Sequence, residues 1–148
     1  MTPCDRRAFV RAAAGALSAT TLAPLLGGCA ALAARVVPTT DGRLQLSLRH
    51  YPELAASGGS LKVRPDGAET PVYVLALDGG EYVALSPVCT HLGCIVELQG
   101  SRIVGPCHGS TFDRAGGVLQ GPASEPLERY PVELSADGVL TVDLRAAA

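Results

Sequence analysis

Two six-residue boxes constrain this chain more than any other part of it: Cys89-Thr90-His91-Leu92-Gly93-Cys94 and Gly105-Pro106-Cys107-His108-Gly109-Ser110. Between them they hold three of the five cysteines and two of the three histidines. Each is bracketed by Gly and Pro of loop character, so neither reads as part of a helix or strand. The segment joining them is short and turns back on itself. Ile95-Val96-Glu97-Leu98 and Arg102-Ile103-Val104 read as strands around Gln99-Gly100-Ser101. In an antiparallel pair the outer ends lie side by side, so this hairpin would carry one box just before it and the other just after it. Thiol and imidazole donors distant in sequence would then meet.

The rest of the body follows the same period of two. Leu44, Leu46 and Leu48 alternate with Gln45, Ser47 and Arg49, as in a half-buried strand. Val72–Leu77 and Glu81–Leu85 flank Asp78-Gly79-Gly80, a hairpin signal because such turns need positive φ. Pro131–Leu134 and Val139–Leu144 flank Asp137-Gly138 in the same way. With 17 Gly and 11 Pro in 148 residues, a turn-rich all-β body is favoured over a helical bundle. Net charge is -2, and no basic run exceeds Arg6-Arg7, so nothing suggests a nucleic-acid partner. After Cys29 there are 9 basic and 13 acidic residues, about -4. That balance suits docking to a basic redox partner and equally suits simple solubility.

Residues 1–34 read as an address, and residues 35–148 as the folded domain. Asp5-Arg6-Arg7-Ala8-Phe9-Val10 resembles a twin-arginine export motif, and no charge occurs from Ala12 to Ala34. Gly15, Pro24 and Gly27-Gly28 would break a packed helix there. Leu26-Gly27-Gly28-Cys29 resembles a lipobox, which would lipidate Cys29. Retention as one membrane span and cleavage near Ala31-Leu32-Ala33 are the other endings. Each places the domain outside the cytoplasm, and membrane attachment on the periplasmic side of a bacterial inner membrane is the reading adopted, with lipidation first.

The two boxes together closely resemble the cluster-binding loops of Rieske [2Fe-2S] proteins of the cytochrome bc type. The resemblance runs from about Val72 to Leu144 and is concentrated in the boxes. It implies a small antiparallel sandwich or barrel with a cluster-binding subdomain, and a role as electron-transfer subunit rather than as an enzyme by itself. In that family two Cys hold one iron and two His hold the other. Carried over, Cys89, His91 and His108 are metal ligands, and Cys94 and Cys107 form a disulfide tying the loops together. Ser110 would donate a hydrogen bond to a cluster sulfur. Gly121-Pro122-Ala123 resembles the proline loop that covers the cluster from a third side, and Leu92 would exclude water at the docking tip. Phe112 stands where high-potential members often carry Tyr. The implied partners are a membrane-bound redox complex and a c-type cytochrome or cupredoxin-like acceptor. His50, beside Tyr51-Pro52, has no such context and reads as a surface or strand-end residue.

One position departs from the pattern. The residue three before His108 should be a thiolate ligand, and it is Gly105. Three ligands remain, so the resemblance implies a [2Fe-2S] cofactor that is absent or labile in this chain. Two further readings stay open at this point: a cluster-free structural subunit, and a mononuclear zinc-like site using Cys89, His91, His108 and one of Cys94 or Cys107.

Overall fold

The computed structural model describes residues 35–147. Arg6, Arg7, Cys29 and the rest of the address segment lie outside them. The strands are β1 (Arg35–Val37), β2 (Thr39–Thr40), β3 (Arg43–Ser47), β4 (Ser60–Pro65), β5 (Val72–Ala76), β6 (Tyr82–Leu85) and β7 (Glu97–Gln99). They continue as β8 (Arg102–Val104), β9 (Thr111–Phe112), β10 (Val118–Gln120), β11 (Arg129–Tyr130), β12 (Val132–Leu134) and β13 (Val139–Asp143). Short 3₁₀ turns at Pro52–Ala55 and Asp78–Gly80 are the only helical elements among the described residues.

The strands form three sheets, ordered β1-β4-β5-β6-β11, β12-β13-β3-β2 and β10-β9-β8-β7. All pairings are antiparallel except β1 with β4. The first sheet is central because β5 is buried at every residue. Its alternate side chains enter two separate cores. Val72, Val74 and Ala84 meet Leu44, Leu46, Leu140 and Val142 of the second sheet. Tyr73, Leu75, Val83 and Leu85 meet Val96, Ile103, Phe112 and Leu127 on the other side. Fully burying one such Leu or Phe contributes about 1.5–3 kcal/mol. The architecture is the expected small all-β body, with the central sheet shared between two packed layers.

Each turn read from the sequence is present. Tyr73 pairs with Leu85 and Ala76 with Tyr82 across Asp78–Gly80, where Gly79 and Gly80 both have φ of 81°. The β12–β13 hairpin closes at Gly138, again at positive φ. The hairpin between the boxes is shorter than its apolar run suggests. Val96 is fully buried in the second core, and β7 begins at Glu97 and extends to Gln99, leaving Gly100-Ser101 as the turn. Ile95 makes only a single bridge, to Val88.

Candidate metal centre

The two boxes fold into the same hydrogen-bonded loop. In the first, the Cys89 N–H donates to the Cys94 carbonyl at 2.7 Å and the Gly93 N–H to the Cys89 carbonyl at 2.9 Å. In the second, the Gly105 N–H donates to Ser110 O at 2.8 Å and the Gly109 N–H to Gly105 O at 2.9 Å. Gly93 and Gly109, fifth in each box, have φ of 73° and 78°, the left-handed region that glycine enters without steric cost. Matched bond for bond, Gly105 occupies in the second loop the place that Cys89 occupies in the first. Cys94 and Cys107 are joined in a disulfide across the loops, with Cα atoms 6.4 Å apart.

The donor side chains fall into a histidine pair and a lone thiol. His91 and His108 stand edge to face, with ring centroids 4.9 Å apart. His91 Nδ1 is buried without a hydrogen-bond partner. Leaving such an atom unsatisfied costs about 1–3 kcal/mol, and a metal bond is one way to offset it. Cys89 is a free thiol, 4% exposed at the edge of the second core. A Cβ placed on Gly105 would lie 3.7 Å from its Sγ. The backbone at Gly105 therefore sets its absent side chain within van der Waals contact of the Cys89 sulfur.

The Cys94–Cys107 bridge bears on the single-ion alternative. Among the described residues no three His, Cys, Asp or Glu side chains converge on one metal position. Cys94 and Cys107, the proposed fourth ligands, spend their sulfurs on each other.

The surroundings fix both loops to a third. The Ala123 N–H donates to Ser110 Oγ at 3.0 Å, and Thr90 Oγ1 donates to Glu125 O at 2.7 Å. The segment after Gly121-Pro122 is thus bonded to each box. Ser110 is fully buried, and accepting from Ala123 leaves its own hydroxyl proton free to donate. Phe112 is fully buried in the second core beside Ile103. Tyr73 donates to the Val96 carbonyl at 3.0 Å, securing the strand end that follows the first box. Burial, and then the Glu97 charge, hold the Tyr73 phenol above its ordinary range. Leu92 is 69% exposed at the loop apex, flanked by exposed Val88 and Ile95. His50 is exposed. Thr90 and Tyr73 were not among the residues singled out from sequence. Thr90 lies inside a box and could have been suspected, whereas nothing in the β5 pattern marks Tyr73.

Residues 49–131, more than half of the chain, match the Rieske [2Fe-2S] domain, and the chain belongs to that family. It is 39% identical over 74 residues to a cytochrome b6-f complex iron-sulfur subunit of Prochlorococcus marinus, covering 47% of this chain and 42% of that protein. It is 41% identical over 69 residues to a cytochrome bc1 complex Rieske iron-sulfur subunit of Corynebacterium efficiens, covering 43% and 17%. The chain therefore spans less than half the length of these relatives. Among solved structures, a complex of reduced oxygenase and oxidized ferredoxin in carbazole 1,9a-dioxygenase shares the fold. That match has a TM-score of 0.51 and 24% identity over 70% of this chain and 95% of the other.

A Rieske [2Fe-2S] group needs two imidazoles on one iron and two thiolates on the other. The histidine pair meets its half of that requirement, and the orphaned His91 Nδ1 fits it. The thiolate half is met by Cys89 alone, because Gly105 has no side chain. The fit is incomplete by one donor.

Proposed function

We propose that this chain is a Rieske-type electron-transfer subunit of a quinol-oxidising membrane complex by descent, and that as written it assembles its [2Fe-2S] group poorly. One observation carries the reading: Gly105 is the hydrogen-bonding counterpart of Cys89, and a Cβ there would lie 3.7 Å from its sulfur. The site kept the shape of a two-thiolate half and lost one thiolate. Removing even an outer partner of a metal ligand costs about 10- to 100-fold in affinity or activity, and loss of a ligand itself costs more.

The same reading places the domain outside the cytoplasm, attached to the membrane through residues 1–34 and facing the periplasm. Support comes from the Arg6-Arg7 and Leu26–Cys29 motifs and from the Cys94–Cys107 bridge, which suits an oxidising compartment. The bc- and b6-f-type relatives support a membrane redox complex as partner, and the proposed acceptor is a c-type cytochrome or cupredoxin-like protein. Exposed Leu92, Val88 and Ile95 around the first loop suit an apolar docking tip. Among the described residues no helix is long and apolar enough to cross a membrane.

The test is Gly105→Cys against the unaltered chain, both purified anaerobically and assayed for iron, acid-labile sulfide, visible absorption and EPR. The unaltered chain should hold little cluster, and Gly105→Cys should gain a [2Fe-2S] centre with two imidazole ligands. The Cβ of the new residue meets only ordinary contacts, the nearest being Ser110 O at 3.5 Å, and Gly105 is not at positive φ. Full occupancy in the unaltered chain would refute the deficiency. Failure of Gly105→Cys would refute the assignment of position 105.

A further inference from the structure

We propose that Tyr73 is the positioning residue of the first box: its hydroxyl latches the neck of that loop to the central sheet and so holds His91 against His108. Its bearing on electron transfer rests on the reading above, whereas the latch stands on this chain's own contacts.

The two boxes are mounted differently. The second closes a regular hairpin, since β8 and β9 pair through Ile103 with Phe112 and Val104 with Thr111, up to its edge. That hairpin lies inside a four-stranded sheet, flanked by β7 and β10. The first box lies between Leu85, where β6 ends, and Glu97, where β7 begins, outside any strand. Its neck has an isolated bridge, Val88 with Ile95, and a bond from the Val96 N–H to the Pro87 carbonyl at 2.8 Å. A two-stranded stretch of this kind is marginal by itself. The loop it carries needs support from outside.

Tyr73 supplies that support. β5 is the middle strand of the central sheet, and Tyr73 is paired on both sides, to Lys62 of β4 and Leu85 of β6. Tyr73 is 3% exposed, and its hydroxyl donates at 3.0 Å to the carbonyl of Val96, a fully buried residue. Burial, and then the Glu97 charge, hold the phenol above its ordinary range, so the donor proton stays in place at neutral pH. The Lys62 ammonium lies 5.6 Å from the ring centroid and steadies the ring further. The Cys94–Cys107 bridge and the bond from Thr90 to Glu125 join the first box to other loops. Among the described residues, the Tyr73 bond is the side-chain hydrogen bond that joins the neck to a strand.

The latch grips both arms of the neck at one level, because Val96 follows the box and is itself bonded to Pro87, which precedes it. His91 stands beyond that level, with its ring centroid 4.9 Å from that of His108. Without the hydroxyl the Val96 carbonyl is left unpaired in the core, and the neck must shift to reach water. The second box, held by its own sheet, stays where it is. The spacing of the histidines is then lost from one side only.

The experiment uses the full chain, Tyr73→Phe and, as control, Tyr82→Phe. Tyr82 makes the same kind of bond, to Leu54 O at 3.1 Å, but packs against the first core. Amide hydrogen exchange without denaturant is read at Cys89 and Gly93 in the first box and at Gly105 and Gly109 in the second. The cross-ring NOE between His91 and His108 is the spectroscopic signature. Tyr73→Phe should raise the ratio of first-box to second-box rates roughly fivefold, the factor one such bond is worth, and should weaken the NOE. Tyr82→Phe should leave the ratio and the NOE as in the parent, whatever it costs in overall stability.

An unchanged ratio in Tyr73→Phe overturns the latch, and so does an equal change of ratio in Tyr82→Phe. If Tyr73→Phe does not fold, 3-fluorotyrosine at position 73 decides, since it keeps the ring and is a stronger donor. Slower first-box exchange then supports the latch, and unchanged rates overturn it. No readout uses a metal. Failure of the latch therefore leaves the ligand assignment standing, and an empty Gly105→Cys overturns that assignment without touching the latch.

Discussion

Replacing both Cys94 and Cys107 with Ala should destabilise the domain by about 3 kcal/mol without unfolding it. The two residues are separated by 13 positions. In the chain-entropy treatment, cross-linking removes freedom from the unfolded state in proportion to the logarithm of loop length, and a loop of this size gives about 3 kcal/mol. Little packing offsets or adds to that figure, because Cys107 is exposed and Cys94 only half-buried. In the folded state the β7–β8 pairing and the paired hydrogen bonds within each box already hold the loops near one another. The effect should therefore fall on the unfolded chain. With a urea slope of about 1–3 kcal/mol/M for a domain of this size, the midpoint should drop by about 1–3 M. Circular dichroism of the folded variant should match the parent, and reducing the parent should reproduce the variant's midpoint. A midpoint change within error would refute the entropic argument. So would an altered folded-state spectrum, since the bridge would then be shaping the native loops rather than restricting the unfolded chain.

Phe112→Ala should cost about 3–5 kcal/mol in urea unfolding, since the ring is fully buried in the second core. In the Gly105→Cys background, Phe112→Tyr should raise the midpoint potential measured by voltammetry, because a hydroxyl donor near a cluster sulfur favours the reduced form. Arg114→Ala should lower stability by about 1–3 kcal/mol and Arg114→Lys should recover only part. Its guanidinium reaches Gly58 O at 2.8 Å, Gly59 O at 2.7 Å and Gly100 O at 3.2 Å, bonds an ammonium cannot reproduce together. Hydrogen bonds from Arg145 and then Arg43 hold the Asp143 carboxyl well below the usual carboxylate range. Its contribution is present above the unfolded-state value, near pH 4, and is lost as pH falls towards the folded-state one. Asp143→Asn should therefore lower the melting temperature at neutral pH, with the difference shrinking in acid.

The local devices were legible in the sequence because each is set by neighbouring residues. Asp78-Gly79-Gly80 and Asp137-Gly138 specify turns whatever lies around them, since only glycine takes their positive φ at little cost. The boxes declared their donors, and the absence of one, by residue type alone. Which sheet covers which face was not readable in this way. Leu44 pairs with Val142, and Arg129 with Leu85, across spans that no local rule governs. The apolar run at β5 marks one arm of a hairpin in the sequence, and only the fold shows that its two faces serve two cores. That outcome depends on strands brought up from both ends of the chain. The site divides along the same line. Sequence determined that position 105 lacks a thiolate. Only the tertiary structure decided that this position mirrors Cys89 bond for bond, that its missing side chain would lie beside the Cys89 sulfur, and that a Cβ there meets only ordinary contacts. Those are facts of distance, set by the fold that brings the two boxes side by side.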